Sequence, residues 1–479
     1  MDNNKDSERV PLQLAWTTQQ VYGVPYLSSL GVPDGQIPIF VLSGPLAGLV
    51  APPLIAALSN ICQSRWGKRT PFIFVGGIGT IISFLFLAGA ESIALNVTSP
   101  YKAKQASHII AGLSIYALNF SIQPLQLGLR ASVIDHFEPH DQPVANLYIG
   151  SFSSLGSVFV AIVGLEYNPP FWDLGVVVVA TLGLLLCFSA LLSPLKVVLE
   201  QSRETSAQRS NRSLSTPAVS ISLRSCASKV VRKLCYLPPM TKRTCIVQLV
   251  SWFAWFLVLN YTSALVSRTY SRLPTPSGNV ISRVAVLFYS TALVTLAAAS
   301  IVRWLSQERA HDKADHFTDH ESKRHHGNGQ LTRTQHILIW WVWKPCLVAL
   351  ATFLSITCFV IIVFPKPSPH AANAISILLG VNGMFFAMAN WVPYALIADE
   401  ASTRARAYAM IAVEGDDVDD KDDTPRLLAV HNMAITAPQI VASIASYMLM
   451  QGMEVLGLEQ HVVWVFAMCI PFAIWSACL

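Results

Sequence analysis

The sequence predicts an all-α membrane protein, on three observations. Of 479 residues, 53% are hydrophobic and only 13% charged, with a mean hydropathy of +0.46; ordinary globular chains carry roughly 25% charged residues. The apolar residues fall in blocks of about 20, the length a helix needs to cross roughly 30 Å of hydrocarbon. Polar breaks separate the blocks, and such breaks must lie in water or protein, because irregular backbone finds no hydrogen-bond partners in lipid.

Taken in order, the blocks place about twelve spans. The first six fall at 10–30, 37–58, 71–90, 108–131, 145–164 and 174–192. The second six fall at 245–266, 284–305, 340–363, 374–398, 428–451 and 462–479. The chain thus divides into a six-helix half over 1–192, a linker rich in Ser and Arg over 193–244, and a second six-helix half over 245–479. A His-rich loop at 306–336 and an acidic loop at 399–427 interrupt the second half. Six spans, a long linker and six more is the two-halves plan of major facilitator transporters, whose substrate sits between the halves near the midplane.

Lys and Arg set the orientation. With the N-terminus inside, the inner segments hold Lys5, Arg9, Arg65, Lys68, Arg69 and the basic stretch from Lys196 to Arg243. The outer loops hold only Lys102, Lys104, Arg268, Arg272, Arg283 and Lys366. Both termini are therefore expected in the cytoplasm, with the plasma membrane favoured over the vacuolar one. Met1 to Arg9 is polar and mixed in charge, unlike a cleaved signal peptide, so the first span is expected to stay.

Several features point away from other classes. The net charge of +5 sits in loops and does not make a nucleic-acid surface. Nine cysteines are scattered without CxxC spacing and read as packing residues. His311, His316, His320, His325, His326 and His336 lie in a long polar loop without cysteine partners, so no metal site is expected. The run from Asp416 to Asp423 lacks the glycine turn and terminal Glu of a calcium loop and reads as a solvated acidic stretch. Asn96-Val97-Thr98 is a glycosylation sequon on the outer side. No nucleophile–base pair lies in the spans, so an enzyme is not expected. The partners expected are the bilayer and a small molecule, with no cofactor beyond a co-transported proton.

The binding chemistry is expected where polar residues enter the spans, since such residues normally face a cavity or another helix. In span 4, Asn119, Gln123, Gln126 and Arg130 share one helical face, with His108 on the same stripe and Pro124 placed to kink the helix. A guanidinium with amides stacked above it suits a polyhydroxylated, uncharged ligand. Span 1 adds Trp16, Gln19, Gln20, Tyr22 and Tyr26, whose rings suit the apolar faces of sugars. Span 10 adds Asn382, Asn390, Trp391 and Tyr394, and span 11 adds His431, Asn432 and Gln439.

These residues resemble the sucrose transporter branch of the glycoside–pentoside–hexuronide cation symporters, within the major facilitators and nearer to fungal members. The resemblance runs through Trp16, Gln19 and Pro25-Tyr26, then Arg65-Trp66-Gly67-Lys68-Arg69-Thr70-Pro71-Phe72, then Gln126, Arg130 and Asp135. It continues through Leu237-Pro238-Pro239, Trp252 to Phe256, Pro393 and Pro438-Gln439. It implies that Arg130 binds substrate, and that Arg65, Lys68, Arg69 and Asp135 form the cytoplasmic gate. Asn119 stands where the family has its span 4 aspartate, the proton carrier by resemblance; Thr262 and Thr269 replace acidic residues of span 7. An amide or hydroxyl does not titrate there.

The expected function is alternating-access transport of a disaccharide (sucrose, maltose or a related α-glucoside), proton-coupled by resemblance. An uncoupled facilitative carrier and a non-transporting sugar sensor or decayed paralogue are the alternatives. The expected binding residues are Arg130, Gln126, Gln123, Asn119, Gln19, Trp16, Tyr26, Asn390, Tyr394 and Asn432.

Overall fold

The structure is a computed structural model that describes residues 10–62, 64, 66, 69–136, 142–167, 169–187, 237–271, 279–315, 369–413, 424–457 and 461–479. The helices among them coincide with every predicted span except the ninth, which lies outside the described residues, as do most of the linker, most of the His-rich loop and residues 414–423 of the acidic loop. Residues 399–413, predicted as the start of that loop, are instead helix and continue span 10. The helices run beyond the predicted ends. Span 4 is the helix Pro100–His136, span 7 is Pro239–Ser271 and span 10 is Pro369–Val413. The apolar blocks mark only the part of each helix that needs lipid, whereas the backbone ladder continues into water. Span 7 accordingly begins inside the stretch assigned to the linker.

Proline decides where two spans break. Span 2 is split into Ile37–Val41 and Ser43–Ile61, and span 12 into His461–Ala467 and Cys469–Cys478. A proline ring collides with the carbonyl four residues earlier. Pro45 meets that of Val41 and Pro471 that of Ala467, the last residue of the first segment in each case. In span 10, Pro393 stays inside the helix and leaves the Ala389 carbonyl without its usual donor. The side-chain amide of Gln248, buried on span 7, donates to that carbonyl at 3.1 Å.

Among the described residues, seven helices are long and apolar enough to cross a membrane, and Phe171–Cys187 (span 6) and Val462–Ser476 are shorter apolar ones. Spans 1 and 4 are not among the seven because amides and Arg130 dilute their apolar content. The flanks of the bundle expose large apolar side chains within the spans, among them Val75, Leu113, Val294 and Met448. Apolar surface of that extent belongs against acyl chains. The protein is a multi-pass membrane protein.

Two main cores hold the bundle. One gathers spans 1, 3, 4 and 6 around Phe84, Leu118, Ile122 and Leu182; the other gathers spans 7, 8, 10 and 12 around Trp255, Tyr261, Phe288 and Phe466. Since lipid is as apolar as a side chain, helices in a bilayer associate by close packing. Glycine supplies it in both cores. A side chain at Gly76 would meet the backbone of Ser121 and Leu125, and one at Gly383 the carbonyl of Phe288.

Candidate functional site

A cavity of about 180 Å³ lies between the two cores and is walled by spans 1, 2, 4, 7, 10 and 11. A smaller one of about 90 Å³ adjoins it, walled by spans 1, 4, 5, 8 and 10. Gln126, Arg130, Trp16, Asn390 and Tyr394 line both, so these side chains stand at their junction.

Span 1 turns one stripe to the cavity, Gln13, Trp16, Gln19 and Gln20, at helical spacing. Beside that stripe, span 1 is pinned to span 5 by the hydroxyls of Thr17 and Ser157, 2.8 Å apart. The Gln19 side-chain oxygen is buried and accepts no hydrogen bond. Span 4 contributes Asn119, Gln123, Gln126 and Arg130, as its periodicity predicts. The Asn119 amide nitrogen donates to Ser43 Oγ and to the Ile115 carbonyl, each at 2.9 Å, which aims its oxygen away from both; that oxygen has no partner. Asn432 crosses from the second half to donate to the Gly48 carbonyl at 2.9 Å and lies 3.5 Å from Gln123 Oε1.

Arg130 is held by an aromatic ring. Its guanidinium carbon lies 3.5 Å from the centroid of the Tyr394 ring, a cation–π contact worth about 0.5–2 kcal/mol. His431 meets the same tyrosine at 4.5 Å between ring centroids and an interplanar angle of 87°. Both nitrogens of this buried imidazole lack a partner. Among the described residues Arg130 makes no ion pair. Stacking leaves the in-plane N–H edges of the guanidinium free for hydrogen bonds.

All the sequence-predicted binding residues except Tyr26 therefore meet around this cavity. Tyr26 lies elsewhere. Its hydroxyl donates to the carbonyls of Leu87 and Ala88 at 3.0 and 3.3 Å, and its ring stacks on Phe171 at 4.3 Å. It shares span 1 with Trp16 but sits ten residues on, which turns it into the first core. His108 bonds the Leu30 carbonyl at 3.0 Å at the far end of span 4. Asn382 is buried without a partner and is not among the cavity residues.

The sequence reading passed over several contributors, among them Gln13, Asn260 and Phe386. Trp252, Phe256 and Asn260 recur every four residues in span 7, and Phe386, Asn390 and Tyr394 do so in span 10. That regularity was available. The Trp252 indole N–H is buried and has no acceptor.

The expected gate is described in part. Arg69 is buried and donates to Ser59 Oγ. Arg65, Lys68 and the side chain of Asp135 lie outside the described residues. At that same end of the bundle, Ile134 of span 4 packs with Tyr394, Ala398 and Leu428 of the second half. At the opposite end, Tyr22 and Ser282 hydroxyls lie 3.1 Å apart and Asn279 donates to the Leu165 carbonyl. The two halves touch at both ends of the cavity. Thr262 and Thr269 donate to the carbonyls of Val258 and Leu265 within their own helix.

In overall shape the chain matches the xylose transporter of E. coli in a partially occluded inward-open conformation, with a TM-score of 0.58 over 99% of this chain and 95% of that one, at 12% identity. It also matches a D-xylose-proton symporter, with a TM-score of 0.54 over 98% and 95%, at 14% identity. The fold is the major facilitator fold. Within this major facilitator frame the sequence is similar to sugar permeases. The general alpha-glucoside permease of Schizosaccharomyces pombe is 27% identical over 262 residues, 54% of this chain and 47% of that protein. Sucrose transport protein SUC4 of Arabidopsis thaliana is 30% identical over 160 residues, 33% of this chain and 31% of that protein. The chain thus spans less than half the length of these curated relatives. No family model matches it.

Proposed function

We propose that this protein carries a disaccharide, such as sucrose, maltose or a related α-glucoside, across a membrane by alternating access. The observation that carries this reading is the set of buried polar atoms without partners in the cavity wall: Gln19 Oε1, Asn119 Oδ1 and the Trp252 indole N–H. An orphaned buried group costs about 1–3 kcal/mol, and two acceptors beside a donor are what sugar hydroxyls satisfy. Trp16, Trp252 and Tyr394 add aromatic surface for the apolar faces of the rings. The similarity to an alpha-glucoside permease and to sucrose transport proteins supports the same cargo. Arg130, Gln126, Gln123, Asn119, Gln19, Trp16, Asn390, Tyr394 and Asn432 are the binding residues in this reading, and Arg69 belongs to the gate on the basic, cytoplasmic side. Both termini face the cytoplasm, and the plasma membrane is the site of residence.

Uptake of labelled maltose and sucrose by yeast that lack their own disaccharide carriers tests the proposal. Wild type accumulates label and Arg130→Ala does not. Equal counts from wild type, Arg130→Ala and empty vector overturn it.

A second reading, uncoupled transport, is favoured by one observation. Among the described residues lining both cavities there is no Asp or Glu to carry a proton. Sugar-induced alkalinisation of the medium supports the symporter; uptake at constant pH supports the uniporter.

A further inference from the structure

Among the described residues lining the two adjoining cavities, Arg130 carries the one formal charge and none is a carboxylate. The face of the guanidinium is covered by Tyr394, and no ion pair among the described residues compensates it. The next ionisable group behind Tyr394 is His431, a second nitrogen base. A cation in a low-dielectric wall without a counter-charge attracts any anion that fits, and a guanidinium edge matches a carboxylate or a single halide by charge-assisted hydrogen bonds. Around it stand further neutral donors, the side-chain amides of Gln126 and Asn390 and the hydroxyls of Ser153 and Ser154.

We propose that Arg130 is a monoanion site, so that the filled cavity holds one negative charge beside the guanidinium. The charge comes either from a carboxylate on the sugar itself or from a free halide bound next to a neutral sugar. The inference takes the cargo from the sugar-carrier reading above; the anion site stands on the charge of the cavity. Asn119 faces the same cavity with a partnerless oxygen. An aspartate there supplies the missing charge from within and removes the need for the anion.

The test is ligand binding to the purified full chain in nanodiscs, read by the intrinsic fluorescence of Trp16 and Trp252. Methyl α-glucoside and methyl α-glucuronide, which differ by one carboxylate, are titrated in sodium sulfate and in sodium chloride at equal ionic strength. Tighter binding of the glucuronide in sulfate by at least about tenfold, the size of one charge-assisted hydrogen bond, identifies the sugar as the source. Glucoside binding that tightens by a similar factor in chloride identifies the halide. In either case Arg130→Gln abolishes the difference, Arg130→Lys retains part of it, and Asn119→Asp reverses the preference for the glucuronide or removes the chloride effect. Glucoside binding that is equal in both salts, with weaker glucuronide binding, overturns the anion site and leaves the sugar carrier standing. If neither sugar binds in either salt, the sugar reading fails instead. The anion site is then decided by chloride alone: a fluorescence change lost in Arg130→Gln upholds it, and no change overturns it.

Discussion

The guanidinium carbon of Arg130 lies 3.5 Å from the centre of the Tyr394 ring, and this contact joins the two halves of the bundle. Arg130 belongs to span 4 and Tyr394 to span 10, so alternating access as proposed above breaks and remakes it. The same tyrosine packs with Ile134 and Leu428 on the basic side of the cavity. The residue that stacks on Arg130 is thus also part of the contact between the halves at one end of the cavity.

Tyr394→Phe keeps the ring and is expected to leave sugar affinity within about twofold. Tyr394→Leu removes the cation–π contact, worth about 0.5–2 kcal/mol, and is expected to weaken binding by about three- to thirtyfold. Equilibrium binding to purified protein measures both. Equal affinities for Tyr394→Leu and wild type would show that Arg130 needs no ring beneath it.

Tyr26→Phe is the contrasting case on span 1. It loses a hydroxyl that donates to the Leu87 and Ala88 carbonyls but keeps the stack on Phe171. A loss of about 1 kcal/mol in stability is expected, with the sugar affinity of the folded fraction unchanged. Thermal unfolding in detergent and binding on the same preparation separate the two effects.

Gln248→Leu should be costlier. The Ala389 carbonyl, freed by Pro393 within span 10, then has no donor in a buried setting. The expected penalty is about 1–3 kcal/mol, seen as a lower unfolding temperature. The double change Gln248→Leu with Pro393→Ala restores the helical donor and is expected to recover part of the loss.

Glu400→Ala tests the end of span 7. Its carboxylate accepts from the backbone N–H of Met240 and Thr241 at 3.2 and 2.7 Å and from Thr241 Oγ1 at 2.6 Å. It closes a helix N-terminus from a neighbouring helix, where orphan donors and the helix dipole both favour negative charge. Charge-assisted bonds are worth about 1.5–3 kcal/mol each, discounted here because the group is only part-buried. A clear drop in unfolding temperature is expected, with Glu400→Gln intermediate.

The polar stripe of span 4 was legible because a helix repeats every 3.6 residues, and Asn119, Gln123, Gln126 and Arg130 all reach one cavity as that period requires. The same rule failed at Tyr26. Span 1 is polar on more than one face, and composition does not say which face meets a cavity and which meets Leu87 and Phe171. Glu400 was unreadable for a different reason. Its partners lie about 160 residues away in sequence, on a helix that begins inside an apparent linker.

Hydropathy and period are properties of single helices, so the sequence by itself determined the membrane-spanning helices and the stripe that carries Arg130. Each follows from local chemistry: the cost of bare backbone in lipid and the repeat of a helix. Only the tertiary structure decided that Tyr394 lies on Arg130, that Gln248 serves the Ala389 carbonyl, and that the cavity among the described residues has a cation without a carboxylate. Those facts depend on which helix stands beside which, and a helix with several polar faces does not record its neighbours in its own sequence.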